Sequence, residues 1–281
     1  MGKPIYIQFA VFACIFLAGC STAKIHDTGK HREQIPVVRS ALPESDEEGS
    51  NAWITLRKAP VKEAEGRYVY LTFDDGPSTN TDKILDILSE FQIKGTFFIL
   101  GKKILDNDYM DYEDAVAALQ RVLAEGHFVG LHSMTHDMHS LYKTPEAHNN
   151  FYDEMRELQK LIFDLSGGYE TNLYRAPYGT RGMFTGNHIR KMANSDMKAW
   201  DWNIDTEDWK TKSTDVVLKK IKEDMEGHKY PNLVVILFHE YDVTVETLPS
   251  AIRYFLDLGY TFLPYHPDNH FQMNLLHRSE L

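Results

Sequence analysis

The sequence predicts an α/β barrel, closed or nearly closed, with a doubly wound open sheet as the alternative. Three observations carry that expectation. Seven apolar, β-rich runs alternate with helical patterns from Tyr68 onward, the mark of parallel βα units. The length, 281 residues, suits one such domain with an appendage. The clusters that promise chemistry fall directly after these runs, at the strand ends where barrel enzymes build their sites.

Lys3 precedes an apolar run from Ile5 to Ala18, broken by Gln8, which is short for a transmembrane helix and right for a signal-peptide core. Leu17-Ala18-Gly19-Cys20 ends it and resembles the lipobox of bacterial lipoproteins. That resemblance implies cleavage before Cys20, lipidation of Cys20, and anchoring at the extracytoplasmic face of the cell membrane. Two or more acyl chains hold stably where one does not. From Ser21 to Gly66 there is little apolar periodicity, and residues 43–50 form an acidic, small-residue stretch that reads as linker. A flexible coil as long as Ser21 to Gly66 reaches about 35–40 Å r.m.s.. Trp53, Ile54 and Leu56 interrupt it and are expected to pack as a short edge element. The domain plan is therefore a signal peptide over 1–19, an acidic tether over 20–66 and a catalytic domain over 67–281.

The predicted strands are Tyr68–Phe73, Thr96–Leu100, Phe128–Leu131, Leu173–Arg175, Ala199–Asn203, Leu233–Phe238 and Thr261–Tyr265. Thr144 is expected to cap, and Pro145 to open, a helix whose face carries Phe151, Met155, Leu158 and Ile162. Ser213 caps the next long one, with Val217, Ile221 and Met225 on one side and Gly227 past its end. Leu248, Ile252, Phe255 and Leu256 mark a last face, stopped by Gly259.

Composition narrows the function. The net charge is −11, from 30 basic and 41 acidic residues, so the electrostatic footprint of a nucleic-acid binder is missing. Both cysteines, Cys14 and Cys20, precede the folded part, which can hold no internal disulfide.

At the end of the first strand comes Thr72-Phe73-Asp74-Asp75-Gly76-Pro77. Adjacent carboxylates point in different directions, so one can bind a metal while the other serves as a base; in isolation the motif is more often an Asx-turn cap. After the third stands His132-Ser133-Met134-Thr135-His136, an i, i+4 pair that can present two rings on one side of a turn. Thirteen histidines make such a pair modest evidence alone. With Asp75 it becomes a two-imidazole, one-carboxylate set that leaves positions open, as catalytic zinc sites do. Non-haem Fe(II) oxygenases use the same set, usually on an all-β scaffold that this alternation does not resemble. Arg175-Ala176-Pro177-Tyr178-Gly179, Asp205-Thr206-Glu207-Asp208-Trp209 and Leu237-Phe238-His239 follow the fourth, fifth and sixth strands.

These five motifs, in this order, resemble the polysaccharide deacetylases with a NodB homology domain, carbohydrate esterase family 4. The resemblance covers about Arg67 to Tyr265. It implies a distorted (β/α)7 barrel that removes acetyl groups from N-acetylated sugars with a divalent metal. Zinc is the leading expectation, with cobalt, manganese or nickel as alternatives. Carried over, Asp75, His132 and His136 match the metal ligands, Asp74 the general base and Arg175 the residue that orients it. Tyr178 matches the position whose backbone N–H helps stabilise the oxyanion. His239 matches the general acid and Asp208 the carboxylate that tunes it, while Leu237 and Trp209 match residues lining the acetyl pocket and groove. Ala176, Thr180-Arg181-Gly182 and Glu240 depart from the usual pattern.

The expected function is deacetylation of cell-wall polysaccharide, with GlcNAc or MurNAc of peptidoglycan as substrate, since a tethered enzyme outside the membrane meets that polymer first. An O-deacetylase of a glycan such as xylan would use the same residues. A solute-binding lipoprotein would share the anchor but show neither metal nor turnover, and a silent wall-binding module would not need an intact base, ligand set and acid. Among other residues, His127 is expected to pack behind the metal turn, His139 to be solvated, and His148, His188 and His228 to lie on surfaces. Trp200 and Trp202 read as core rather than sugar platforms.

Overall fold

The computed structural model describes residues 66–227 and 232–281. The leader, Cys20, the tether with Trp53, Ile54 and Leu56, and His228 lie outside the described residues. No helix among the described residues is long and apolar enough to cross a membrane.

One eight-stranded sheet, parallel at every paired edge, organises the chain. Its strands are β1 (Arg67–Gly76), β2 (Thr96–Ile99), β3 (Phe128–Leu131), β4 (Leu173–Tyr174), β5 (Lys198–Ala199), β6 (Ile204–Asp205), β7 (Leu233–His239) and β8 (Tyr260–Phe262). The helices are α1 (Thr81–Glu90), α2 (Gly101–Leu105), α3 (Tyr112–Ala124), α4 (Met138–Tyr142), α5 (Ala147–Ser166), α6 (Gly186–Ala193), α7 (Thr214–Glu226) and α8 (Asp242–Asp257). The strand order is β5-β4-β3-β2-β1-β7-β6, with β8 on the N-terminal end of β1. The two ends of that order, β5 and β6, are neighbours along the chain. The sheet therefore curls almost onto itself, the distorted (β/α)7 barrel that the sequence predicts, rather than an open doubly wound sheet.

Period-two alternation assigns the two faces. In β1, Val69, Leu71 and Phe73 join the large core that also holds the helix residues Ile84, Leu119, Phe151, Val217 and Leu248. Tyr70 points the other way, into a smaller cluster with Phe98, Leu173, Trp200, Val235 and Tyr265. Trp200 meets the rings of Tyr70 and Tyr265 edge-on at 5.3 and 5.1 Å, contacts worth about 0.5–1.5 kcal/mol each beyond burial. The interior is tight: a Cβ on Gly130 would come within 2.6 Å of the Phe98 ring, so only glycine fits there. By the same alternation Thr72 and Asp74 of β1, and Leu237 and His239 of β7, belong to the interior row. Register places Asp74 directly beside His239 at the C-terminal end.

Several expectations are corrected. The predicted fifth strand, Ala199–Asn203, is not one strand: β5 ends at its first residue and pairs with β4, and β6 begins just past its last and pairs with β7. Between them the carbonyls of Trp200 and Asp201 accept from the Arg175 guanidinium instead of a neighbouring strand. The expected last strand, Thr261–Tyr265, is confined to β8. Helix α5 begins at Ala147 with Glu146 at its N-cap, not at Thr144 and Pro145, although Phe151, Met155, Leu158 and Ile162 form its buried face as expected. Ser213 occupies an N-cap position without a side-chain capping bond. Leu256 is 46% exposed, outside the buried face of α8, while Leu248, Ile252 and Phe255 are buried. Gly259 does end that helix region, at φ 77°.

Candidate active site

Local backbone geometry already singles out the site. Among the described residues seven non-glycine positions have left-handed φ, and five of them are Asp75, Ser133, His136, Tyr178 and Glu207, all within the motif segments. Such conformations persist only where surroundings enforce them, and they concentrate at functional sites. At Asp75 the register between β1 and β2 slips, so the strand ends in a kink that separates the directions of Asp74 and Asp75.

Asp75, His132 and His136 converge. Their nearest ligand atoms lie within 4.8 Å of one another. Asp75 Oδ1 stands 3.5 Å from His132 Nε2 and 3.7 Å from His136 Nε2. The opposite ring nitrogens are held: His132 Nδ1 lies 2.9 Å from the Arg175 carbonyl, and His136 Nδ1 lies 3.1 Å from the Tyr178 hydroxyl. That hydroxyl donates to the His136 carbonyl, so it accepts from His136 Nδ1–H. Both Nε2 lone pairs are thereby aimed at Asp75, the arrangement by which outer partners fix metal-binding histidines. Burial lowers both imidazoles to about 4, which keeps them neutral. Burial would raise Asp75, but the imidazoles beside it outweigh that and keep its carboxyl below the ordinary value. Asp75 Oδ1 is buried without a hydrogen-bond partner. An orphaned carboxylate oxygen facing two free imidazole lone pairs fits a dication.

Asp74 is 2% exposed, on the interior row beside this set. Its Oδ1 accepts from Arg175 Nη1 at 2.8 Å, and its Oδ2 lies 3.7 Å from His132 Nε2. Arg175 is fully buried and makes four hydrogen bonds in all: Nη1 also donates to Thr72 Oγ1, Nε to the Trp200 carbonyl and Nη2 to the Asp201 carbonyl. Its guanidinium carbon lies 4.1 Å from the Phe98 ring centroid. Burial lifts the Asp74 carboxyl to about 6 against the pull of Arg175.

His239 stands across from Asp74 on β7. Its Nδ1 lies 2.8 Å from Asp208 Oδ1, while Asp208 Oδ2 accepts from the His239 N–H and from Thr244 Oγ1. Burial disfavours the imidazolium, but the hydrogen bond and charge of Asp208, with Asp74 and Asp75 beyond, raise it to about 9. Near neutrality Asp74 is thus held ionised and His239 protonated, opposite states on adjacent strands. If Asp208 supplies that stabilisation, Asp208→Asn lowers the alkaline limb of the kcat/KM profile, near pH 9, by roughly one to two pH units. An unmoved limb would show that another group titrates there.

Of the remaining motif residues, Leu237 is buried in the interior row of β7. Tyr178 is 46% exposed beside the ligand turn, and Trp209 is 56% exposed at the rim, with Lys210 Nζ 4.7 Å from its ring. His127 is a buried structural residue that accepts from the Gly95 N–H, and His139 is exposed. His188 is buried rather than superficial, because it closes the capping box of α6 and bonds the Leu141 carbonyl. Trp200 is core and Trp202 lies 5.5 Å from the Arg175 guanidinium.

Three supporting residues gain their roles only from the fold. Glu154 on α5 accepts from the Met134 and Thr135 N–H groups and the Thr135 hydroxyl, holding the turn between the two histidines. Thr72 and Thr244 brace Arg175 and Asp208. Glu154 and Thr244 have no local signature, and Thr72, though it opens the first motif, gains its role only across the fold. A separate cavity of about 490 Å³ between α5 and α6, lined by His148, Tyr152, Arg190 and Asn194 among others, contains no carboxylate and no ligand set.

A family model for polysaccharide deacetylases matches residues 61–200. The Bacillus subtilis protein YheN is 37% identical over 196 residues, 69% of this chain and 65% of that one. A peptidoglycan-N-acetylglucosamine deacetylase of Bacillus cereus is 33% identical over 220 residues, 77% of this chain and 76% of its own length. Among solved structures, the polysaccharide deacetylase Bc1974 from Bacillus cereus superposes with a TM-score of 0.67 at 32% identity, covering 76% of this chain and all of that one. The chain belongs to the polysaccharide deacetylase family.

Proposed function

We propose that this chain removes acetyl groups from N-acetylated cell-wall polysaccharide, with peptidoglycan amino sugars, GlcNAc or MurNAc, as substrates. The observation that carries this reading is the pairing of Asp74 with His239 on adjacent strands beside the Asp75–His132–His136 set. Amide hydrolysis needs an activated water, a polarised carbonyl and a proton for the departing amine. Asp75 and the two imidazoles would hold a divalent ion, zinc on this donor set, which when bound polarises the acetyl oxygen and makes a water acidic.

The chain's own residues do the rest. Arg175 engages Asp74 Oδ1, leaving Oδ2 turned toward the ligand set to take the water proton. The Tyr178 N–H adds a donor to the oxyanion, in keeping with the family resemblance. Asp208 fixes His239 Nδ1–H, so Nε2 delivers its proton to the leaving nitrogen. Leu237 supplies apolar wall for the acetyl methyl, and exposed Trp209 offers a ring face to sugar. A relative named as a peptidoglycan-N-acetylglucosamine deacetylase supports the substrate class. Mass analysis of peptidoglycan fragments before and after incubation with the metal-loaded protein tests it. Loss of acetyl from amino sugars is expected; fragments returned unchanged would overturn the reading.

The N-terminal part of the proposal rests on sequence alone: residues 1–19 are a cleaved signal, Cys20 is lipidated, and residues 20–66 tether the domain outside the cell membrane. Cys20→Ser is expected to abolish lipid labelling and either release processed protein or strand the precursor. Unchanged mature size and labelling would refute the lipobox.

A further inference from the structure

Beside the ligand set lies a pair of cations that the mechanism leaves unused. Lys102 and Lys103 occupy the first turn of α2, directly after β2. The Gly101 N–H donates to the Ser133 carbonyl at 3.0 Å and the Lys102 N–H to the Met134 carbonyl at 2.8 Å. A Cβ at Gly101 would collide with Met134, so the two backbones meet at a glycine. The lysines are thereby fastened to the very turn that carries His132 and His136.

Both side chains are partly exposed, and among the described residues neither ammonium is within ion-pair distance of a carboxylate. Lys103 Nζ lies 3.9 Å from the Tyr109 ring centroid and Lys102 Nζ lies 5.8 Å from it. A cation–π contact orients an ammonium without cancelling its charge. The nearest influences agree with a position at the site: Asp75 and Glu240 act on Lys103 through space, and Lys102 acts on His136. In a chain of net charge −11, two cations beside the histidine turn with no carboxylate within ion-pair distance leave direct contacts open to an anion from outside.

We propose that Lys102, Lys103 and the Tyr109 ring form a subsite for a carboxylate of the substrate, so that the site favours acidic glycan over neutral glycan. This rests on the cell-wall deacetylase reading above and narrows it. In peptidoglycan a carboxylate has two sources, the lactyl ether of the muramyl sugar and the stem peptide. Each offers the planar, charged acceptor that ammonium groups bind by charge-assisted hydrogen bonds.

The test compares the full chain with its Lys102→Gln/Lys103→Gln variant on three substrates: a neutral N-acetylglucosamine oligomer, peptide-free peptidoglycan strands and peptide-bearing strands. The kcat/KM ratio of acidic to neutral substrate is expected to fall about tenfold in the variant. For the parent chain the same ratio should drop as salt is raised. A fall already seen on peptide-free strands assigns the lactyl carboxylate, and a fall confined to peptide-bearing strands assigns the stem peptide. An unchanged ratio, or a ratio insensitive to salt, overturns the subsite. Binding of peptide-free and peptide-bearing strands to both chains at low salt gives a readout independent of turnover. Weaker binding by the variant to either acidic strand upholds the subsite even if no acetate is released, an outcome that would count against the deacetylase reading alone. Equal binding by both chains overturns it.

Discussion

Asp74→Asn is expected to lower turnover on N-acetyl sugars by roughly 10²–10⁴ while leaving metal binding intact. The amide keeps an oxygen in place to accept from Arg175 Nη1, so the buried guanidinium retains its fourth partner and the fold its interior. What is lost is the basic oxygen, Oδ2, that faces the ligand set. The alanine variant would be a poorer probe, since it strips a buried charge of its carboxylate, a change that costs about 3–5 kcal/mol in comparable pairs. His132→Ala and Asp75→Ala should behave differently, losing metal and activity together, because each removes a member of the convergent set. Metal analysis of purified variants beside kinetics separates the two classes. A metal-free His132→Ala chain with full activity would refute the ligand assignment.

The second large effect concerns the acid. His239→Ala is expected to lose roughly 10²–10⁴ in rate on N-acetyl sugars and far less on an activated acetate ester, with metal content unchanged. An amine anion is too basic to depart unprotonated, whereas a good leaving group needs little help. The geometry suits His239 to the proposed role near neutrality: Asp208, whose Oδ2 accepts from the His239 backbone N–H and from Thr244, holds Nδ1–H through Oδ1 and favours the charged ring. Equal losses on both substrates, or loss of metal, would reassign His239 to a structural or ligand role.

The sequence made the barrel legible because buried parallel strands leave continuous apolar runs, and Val69 to Phe73 or Val234 to Phe238 can be little else. It also showed which strand ends carry chemistry, since Asp74-Asp75, the His132–His136 pair and His239 each follow such a run. Register was not legible. That Asp74 sits beside His239 is a property of β1–β7 pairing, and no local pattern encodes it. The division of residues 198–205 into β5 and β6 was hidden for a related reason: Arg175, some twenty-five residues earlier, takes the carbonyls that a single strand would have used. Glu154 was invisible because it reads as one more surface acid on α5 until the histidine turn is laid against it. His188 and Leu256 reversed their expected exposure because helical spacing fixes only which residues share a face, and the neighbouring elements decide which faces are covered.

On the proposed mechanism a divalent ion held by Asp75, His132 and His136 acts with Asp74 and His239 to hydrolyse acetamido groups. The most direct measurement is acetate release from N-acetylglucosamine oligomers by the chelator-treated chain as metal is restored stepwise, with bound metal determined on the same samples. Activity is expected to be absent after chelation, to rise in proportion to bound metal and to level off at one ion per chain. Full acetate release by a chain shown to carry no metal would contradict the account.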